Sequence, residues 1–238
     1  MKAFLLAAGH GTRLRPLTDN LPKCLVPIRG IPMLRIWLHL CRRYGIDQLL
    51  VNLHSHSDRV RAFLSQESCG LSVQVFEEPT LLGSAGTLLA NRAWVNSEEL
   101  FWVFYADVLT TADLGRMLQF HRRHGACATI AVNTVPDPSR CGVVAVDSRC
   151  VVRGFVEKPQ NPAGDLVFSG ILIAKPAILD AVSAVPQADI ARHLLPNLLG
   201  QMYAYSISEF LLDIGTMTNY LSAQQSWPGL SSQTPPAD

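Results

Sequence analysis

Between Leu6 and Lys23 the chain reads Leu-Ala-Ala-Gly-His-Gly-Thr-Arg-Leu-Arg-Pro-Leu-Thr-Asp-Asn-Leu-Pro-Lys, and this segment concentrates the residue types that handle a polyphosphate. Gly9, Gly11 and Thr12 let backbone N–H groups come close to an anion. Arg13 adds a planar fork for phosphate oxygens, and Lys23 adds a point charge. Two better-known phosphate loops do not fit: a dinucleotide fingerprint needs a third glycine where Leu14 stands, and a Walker A loop needs Gly-Lys-Ser/Thr after four intervening residues. A turn with solvated basic residues is the plain alternative; two glycines, an Arg and a Lys in so short a stretch weigh against it.

Three further segments carry candidate chemistry. Glu78-Pro-Thr-Leu-Leu-Gly-Ser-Ala-Gly-Thr87 reads as a turn entering a helix whose first turn is small, so that a nucleoside could lie against backbone. Asp107 stands at the carboxyl end of the apolar run Phe101 to Tyr105, and Asp213 sits in Leu211-Leu-Asp-Ile-Gly-Thr216. A lone Asp at a strand end is more often a turn or cap residue. Phe155-Val-Glu-Lys-Pro159 taken alone is an ordinary strand running into a proline turn.

The elements that must position these residues alternate. Ala3 to Ala7, Gln48 to Asn52, Leu71 to Phe76 and Phe101 to Tyr105 read as buried strands. Between them run helical patterns, one with Ile31, Leu34, Leu38 and Cys41 on its apolar face, another holding Leu88, Leu89 and Trp94. Such alternation implies crossover connections and a mostly parallel sheet covered on both faces. After Gly125 the runs become closely spaced and β-like: Cys127 to Val132, Gly142 to Val146, Val151 to Val156 and Val167 to Ile173. Helices are predicted after Pro176 and Asp189, then a strand around Met202 to Tyr205. The reading is a Rossmann-like three-layer α/β/α domain with a mostly parallel central sheet over residues 1–225, its first half at 1–125 and its second, β-rich half at 126–225, with a mobile tail at 226–238. No internal repeat or hexapeptide array is present.

Composition excludes several classes. With 20 Lys+Arg against 19 Asp+Glu, the chain has no basic field for nucleic acid or membrane surfaces, so a charged ligand must be met locally. Its 6 cysteines are scattered singly, without the spacing of a zinc site. No stretch approaches the ~20 apolar residues of a membrane span, and the apolar run after Lys2 is too short for a secretory signal. The expectation is a cytoplasmic protein with free thiols.

The Leu6–Lys23 segment resembles the signature of the sugar-1-phosphate nucleotidyltransferases, L-A-A-G-x-G-T-R-L-x-P-L-T followed by P-K. Glu78 to Thr87 is similar to that family's E-P-L-G-T-A-G segment, with extra residues between Pro79 and Gly83. Cys141-Gly-Val-Val resembles Y-G-V-V, Phe155 to Pro159 resembles F-x-E-K-P, and Leu211 to Thr216 resembles W-x-D-I-G-T. The resemblance runs from residue 1 to about 224, and it implies that 1–125 is the nucleotide-binding half and 126–225 the β-rich sugar-phosphate-binding half. It implies that Leu6, Ala8, Gly9, Gly11 and Thr12 wrap a nucleoside triphosphate, with Glu78, Gly83, Ser84 and Ala85 facing its base. It also implies that Arg13 and Lys23 steady the leaving pyrophosphate, and that Asp107 and Asp213 hold Mg²⁺. Gly142, Glu157, Lys158 and Ser169 would line the sugar-phosphate site, Glu157 accepting from sugar hydroxyls and Lys158 pairing with the phosphate. Three departures stand out: Tyr105-Ala106-Asp107 for Asn-Gly-Asp, Phe168-Ser169-Gly170 for Asn-Ala-Gly, and Cys141 for Tyr.

The activity implied is condensation of an NTP with a sugar 1-phosphate, giving an NDP-sugar and pyrophosphate, without nucleic-acid or membrane partners; self-association stays open. GTP is favoured, because a carboxylate such as Glu77 or Glu78 can accept both adjacent donors of guanine. The segments Phe120 to Gly125 and Ser139 to Val144 are also similar to those of mannose-1-phosphate guanylyltransferases. A mannose or manno-heptose 1-phosphate is favoured, the bulkier sugar fitting if Phe168 faces the pocket rather than the core. The alternatives are a dTTP- or UTP-dependent glucose-1-phosphate enzyme, a non-sugar phosphate enzyme and a non-catalytic sugar-nucleotide binder.

Overall fold

A computed structural model describes residues 1–230. In chain order the elements begin with β1 (Lys2–Leu6), β2 (Pro27–Ile28), β3 (Ile31–Pro32), α1 (Met33–Arg43), β4 (Gln48–Leu53), α2 (Ser57–Gln66) and β5 (Ser72–Glu77). Then come α3 (Ser84–Ala90), α4 (Arg92–Val95), β6 (Phe101–Tyr105), β7 (Val108–Thr110), α5 (Leu114–His124), β8 (Ala128–Thr134) and β9 (Gly142–Val146). The chain finishes with β10 (Val152–Glu157), β11 (Leu166–Ala174), α6 (Ile190–His193), β12 (Met202–Ser206), β13 (Leu211–Asp213) and α7 (Met217–Ser226). These α/β elements form two compact units. One comprises residues 1–80, 104–112 and the chain from 209 on; the other comprises 81–103 and 113–208. Where one break at residue 125 is predicted, the chain instead passes back and forth between the units.

In the first unit β1, β4 and β5 are parallel, with Leu5 opposite Val51 and Val51 opposite Val75. Parallel neighbours need crossovers, and α1 and α2 supply them. α1 buries Met33, Leu34, Ile36, Trp37, Leu38, Leu40 and Cys41, and the Trp37 ring stacks on Phe104 at 4.6 Å. Truncating Trp37 to Ala would cost about 3–5 kcal/mol on the scale of buried aromatic deletions. Arg42 and Arg43 close the helix, where cations suit the dipole. On the other side of β1, the Leu6 carbonyl accepts from the Ala106 N–H just past β6. Strand order therefore reverses at β1, and the loops leaving β1 and β6 lie at a topological switch point, where open α/β sheets bind ligands.

The second unit is β-rich and mixed. β8 pairs antiparallel with β11 and parallel with β12, while β9 pairs antiparallel with β10 and β11. α5 starts at Asp113, whose side chain accepts from Arg116 N at 3.0 Å, and stops at Gly125, in the left-handed region with φ 62°.

Predicted strands match within a residue or two, and β6 and β9 match at both ends. The helix predicted after Pro176 is a 3₁₀ turn (Pro176–Ala181). The expected tail at 226–238 begins too early: Ser226 closes α7 and Trp227 is buried. Residues 231–238 lie outside the described residues. Cys24, Cys41, Cys69, Cys127 and Cys150 are free thiols, and burial pushes the Cys24 thiol up to about 12. Among the described residues no helix is long and apolar enough to cross a membrane.

Candidate active site

β1 ends at Leu6, and the chain enters the glycine loop. Gly11 holds φ 65°, and a Cβ there would sit 3.0 Å from Thr18 Cγ2 and 3.4 Å from Lys23 Cβ. Glycine is thus required by conformation and by close approach. Thr18 locks the turn, its hydroxyl donating to the Gly11 carbonyl at 2.8 Å. Thr12–Leu14 then makes a 3₁₀ turn with Leu14 buried as its anchor. At Gly9 nothing lies within 4 Å of the Cβ position, so the loop is open there.

Lys23 is held in place by its own turn and by a carboxylate. Lys23–Leu25 forms a second 3₁₀ turn that buries Cys24 and Leu25, and the Lys23 ammonium pairs with the Asp107 carboxylate. Asp107 occupies the turn between β6 and β7. β7 pairs antiparallel with β13, setting Asp213 opposite Val108, and the Asp107 carbonyl accepts from Ile214 N at 2.9 Å. This two-stranded ribbon joins carboxylates more than a hundred positions apart in the chain. Asp213 Oδ1 accepts from Gly215 N at 2.6 Å. A Cβ on Gly215 would stand 2.7 Å from Asp213 Oδ1, 3.0 Å from Arg13 Nη2 and 3.1 Å from Lys23 Nζ. Three charged side chains therefore converge on one glycine. Asp213 keeps solvent access but is crowded by chain atoms; this desolvation, then repulsion from Asp107, raises its carboxyl above the usual range, with Lys23 and Arg13 pulling the other way.

The acidic pair at the end of β5, expected to read a base, is also engaged by the protein's own groups. Glu77 has both oxygens engaged, one accepting from Ser57 Oγ at 2.5 Å and the other from Arg61 Nη2 at 2.8 Å. Glu78 is buried, and its Oε1 accepts from Asn52 Nδ2 at 2.8 Å. A bidentate pair with guanine would cost one of these bonds.

The second unit holds the other predicted residues. Gly83 has φ 79°, and a Cβ there would stand 2.4 Å from the Ala188 carbonyl oxygen. That carbonyl accepts from Ala85 N at 2.8 Å and Gly86 N at 3.0 Å, while Ser84 Oγ donates to Asp189 Oδ2 at 2.9 Å and accepts from Ile190 N at 2.7 Å. The Gly83–Gly86 backbone is committed to the 187–190 loop. Gly142 faces Glu157 across β9–β10, and a Cβ on it would lie 2.4 Å from Phe155 Cζ and 3.1 Å from Glu157 Oε2. Lys158 pairs with Glu157 at 3.3 Å. Ser169 is buried and donates to Asn133 Oδ1 at 2.8 Å. Phe168 is half-buried with its ring edge-on to Phe155 at 6.4 Å. Sequence reasoning missed Asn52, His54, Thr18 and Asn133. Asn52 had a signal, a polar residue at the carboxyl end of an apolar strand.

Another cluster brings ligand atoms of His39, Glu67 and Cys69 within 4.8 Å of one another. Arg35 forms an ion pair with Glu67, its Nε donating to Oε2 at 2.7 Å, so that carboxylate is already neutralised.

Residues 2–228 match the family described as Nucleotidyl transferase. This chain belongs to the nucleotidyl transferase family. It is 33% identical over 228 residues to a mannose-1-phosphate guanyltransferase beta-A of Xenopus laevis, covering 93% of this chain and 63% of the relative. It is also 33% identical over 229 residues to mannose-1-phosphate guanylyltransferase 1 of Arabidopsis thaliana, with the same coverage. The chain thus spans under two thirds of the length of these relatives. Among solved structures, HddC from Yersinia pseudotuberculosis superposes with TM-score 0.79 at 24% identity, covering 94% of this chain and 97% of that one. UTP-bound UGPase from Acinetobacter baumannii gives 0.78 at 24%, covering 94% and 91%. These likenesses establish a nucleotidyl transferase fold.

Proposed function

We propose that the chain joins a nucleoside triphosphate, with GTP favoured, to a mannose or manno-heptose type sugar 1-phosphate, releasing pyrophosphate. The observation that carries the reading is the convergence of Arg13, Lys23 and Asp213 on Gly215, with Asp107 paired to Lys23. In the reaction a phosphate oxygen of the sugar 1-phosphate forms a bond to the α-phosphorus as the bond from that phosphorus to the β-phosphate's bridging oxygen breaks. Arg13 and Lys23 balance the charge that builds on the departing pyrophosphate. The open loop at Gly9 admits the triphosphate, and Leu6, Ala8, Gly11 and Thr12 shape its path. Gly142, Glu157, Lys158 and Ser169 are assigned to the sugar phosphate, and Gly83, Ser84 and Ala85 to shaping the base site through the docked 187–190 loop.

Asp107 and Asp213 fit a divalent cation such as Mg²⁺, because two mutually repelling carboxylates offer oxygen ligands, and Asp213 keeps solvent access. When bound, such an ion supplies charge neutralisation at the phosphate oxygens. Lys23, already paired with Asp107, would move between carboxylate and phosphate. Free thiols support a reducing, cytoplasmic setting.

GTP and the manno sugar are supported by the names of the 33%-identical relatives. The test is pyrophosphate release from each of five NTPs with mannose, glucose and D-glycero-D-manno-heptose 1-phosphates, with and without EDTA. GTP with a manno-configured sugar should give the highest kcat/KM. A preference for UTP or dTTP overturns the base assignment, and turnover undiminished by EDTA overturns the metal assignment.

A further inference from the structure

Three parallel strands end side by side in the first unit, and a chain of hydrogen bonds crosses their carboxyl ends. Glu78, just past β5, accepts at Oε1 from Asn52 Nδ2 at 2.8 Å. Asn52, near the end of β4, accepts at Oδ1 from Ala7 N at 2.7 Å. Ala7 is the first residue after β1, where the β1–β4 ladder has stopped at Leu6 opposite Asn52. The Asn52 side chain thus extends pairing one residue beyond the ladder and sets the direction in which the glycine loop departs. A second arm leaves Glu78 from its backbone: its carbonyl accepts from His54 Nδ1 at 2.8 Å, and the His54 ring stands edge-on to His10 of the loop at 5.1 Å. Glu78 is itself held by its N–H, which donates to the Leu53 carbonyl at 2.8 Å.

The chemistry of the amide makes this relay directional. Ala7 N can only donate, so Asn52 must turn its oxygen toward it and its NH₂ away. Something that accepts must then stand behind the NH₂, and a carboxylate only accepts. Glu78 and Asn52 are 1% and 4% exposed, so a mismatch in this pair would not be relieved by water. We propose that Glu78 is a positioning residue for the triphosphate loop, acting through Asn52 on the Ala7 backbone and through His54 on His10, and that it does not select the base. The proposal rests on reading Ala7–Thr12 as a phosphate loop.

The discriminating measurement separates phosphate binding from base choice. Inorganic tripolyphosphate is titrated calorimetrically against wild type, Asn52→Ala, Glu78→Ala and Glu78→Gln, alongside steady-state KM for GTP, ITP, ATP and UTP and for the sugar 1-phosphate. Asn52→Ala and Glu78→Ala should each weaken tripolyphosphate binding and raise KM by a similar factor for every NTP, about 5–20-fold as for one lost buried hydrogen bond. The ratios between bases and the KM for the sugar 1-phosphate should hold. The double variant should be little worse than either single one, since both cut the same relay. Glu78→Gln keeps an oxygen acceptor for Asn52 and should restore binding close to wild type.

Altered ratios between NTPs in Glu78→Ala, or tripolyphosphate binding unchanged in both Ala variants, overturn the proposal while leaving the nucleotidyltransferase reading intact. If wild type binds no tripolyphosphate, the phosphate-loop reading fails and this proposal with it. Should Glu78→Ala not fold, Asn52→Ser retains Glu78, shortens the reach to Ala7 and carries the same test.

Discussion

The loops at Gly9–Gly11 and Gly83–Gly86 are alike in composition, each a cluster of glycine and small residues leading into a helical turn. Their first glycines stand in different surroundings. At Gly9 the Cβ position is open, whereas at Gly83 it would lie 2.4 Å from the Ala188 carbonyl oxygen, and that carbonyl takes the N–H groups of Ala85 and Gly86. One loop keeps space for a ligand; the other receives the protein's own chain. Glycine content reports that something approaches the backbone, and only the fold says what.

Substitutions can break or sharpen that contrast. Gly83→Ala should do the most damage, because φ 79° disfavours any side chain and the blocking atom is backbone that cannot swing aside. A loss of about 3 kcal/mol or more is expected from the strain and the lost docking of 187–190, read from urea unfolding. An unfolding midpoint equal to wild type would mean that the docked loop contributes nothing. Asp107→Asn and Asp213→Asn should instead leave unfolding near wild type and lower kcat by about 10²-fold or more, as for loss of a principal charge stabiliser. Near-full turnover in Asp107→Asn would make it a turn residue.

Gly9→Ala tests the open loop directly. With nothing within 4 Å, the added methyl should change stability by no more than about 0.5 kcal/mol, while a phosphate close to the backbone would be pushed away, raising the KM for NTP about tenfold. An unchanged KM would show that the triphosphate does not approach Gly9. The smallest effect is a pH dependence in the second unit. His121 is buried against Thr129, with Nδ1 and Oγ1 2.9 Å apart, and burial, then Lys175 and Arg122, lowers it to about 4. Its unfolded value is near 6.5, so between these the unfolded chain binds more protons and stability falls as pH drops. About 1 kcal/mol should disappear between pH 7 and 5.5, and His121→Gln, measured by thermal unfolding, should flatten that slope.

Much of the site was legible because its groups are local in sequence. The Leu6–Lys23 segment carries its own glycines and charges, and the apolar runs marked where strands end. What was hidden depends on distance. The β7–β13 ribbon is only three residues a side, with no periodicity to reveal it, yet it delivers Asp213 to the Asp107 turn. Glu78 was legible as an acid but not as a buried one, because its environment is made by Asn52, twenty-six positions earlier in the chain. The docking of Gly83–Gly86 on Ala188 is likewise a contact across about a hundred positions.

The β7–β13 ribbon also orders events on the ribosome. Arg13, Lys23 and Asp107 emerge first, but Asp213 and the α7 contacts to Arg29, whose guanidinium donates to the carbonyls of Gln224 and Gln225, follow only after more than a hundred further positions. The first unit cannot close until residues 209–226 have left the exit tunnel, because β13 pairs with β7, made about a hundred positions earlier, and such long-range pairings form slowly. A nascent chain stalled before Leu211 would thus carry the glycine loop, Lys23 and Asp107 without the carboxylate that β13 sets beside them.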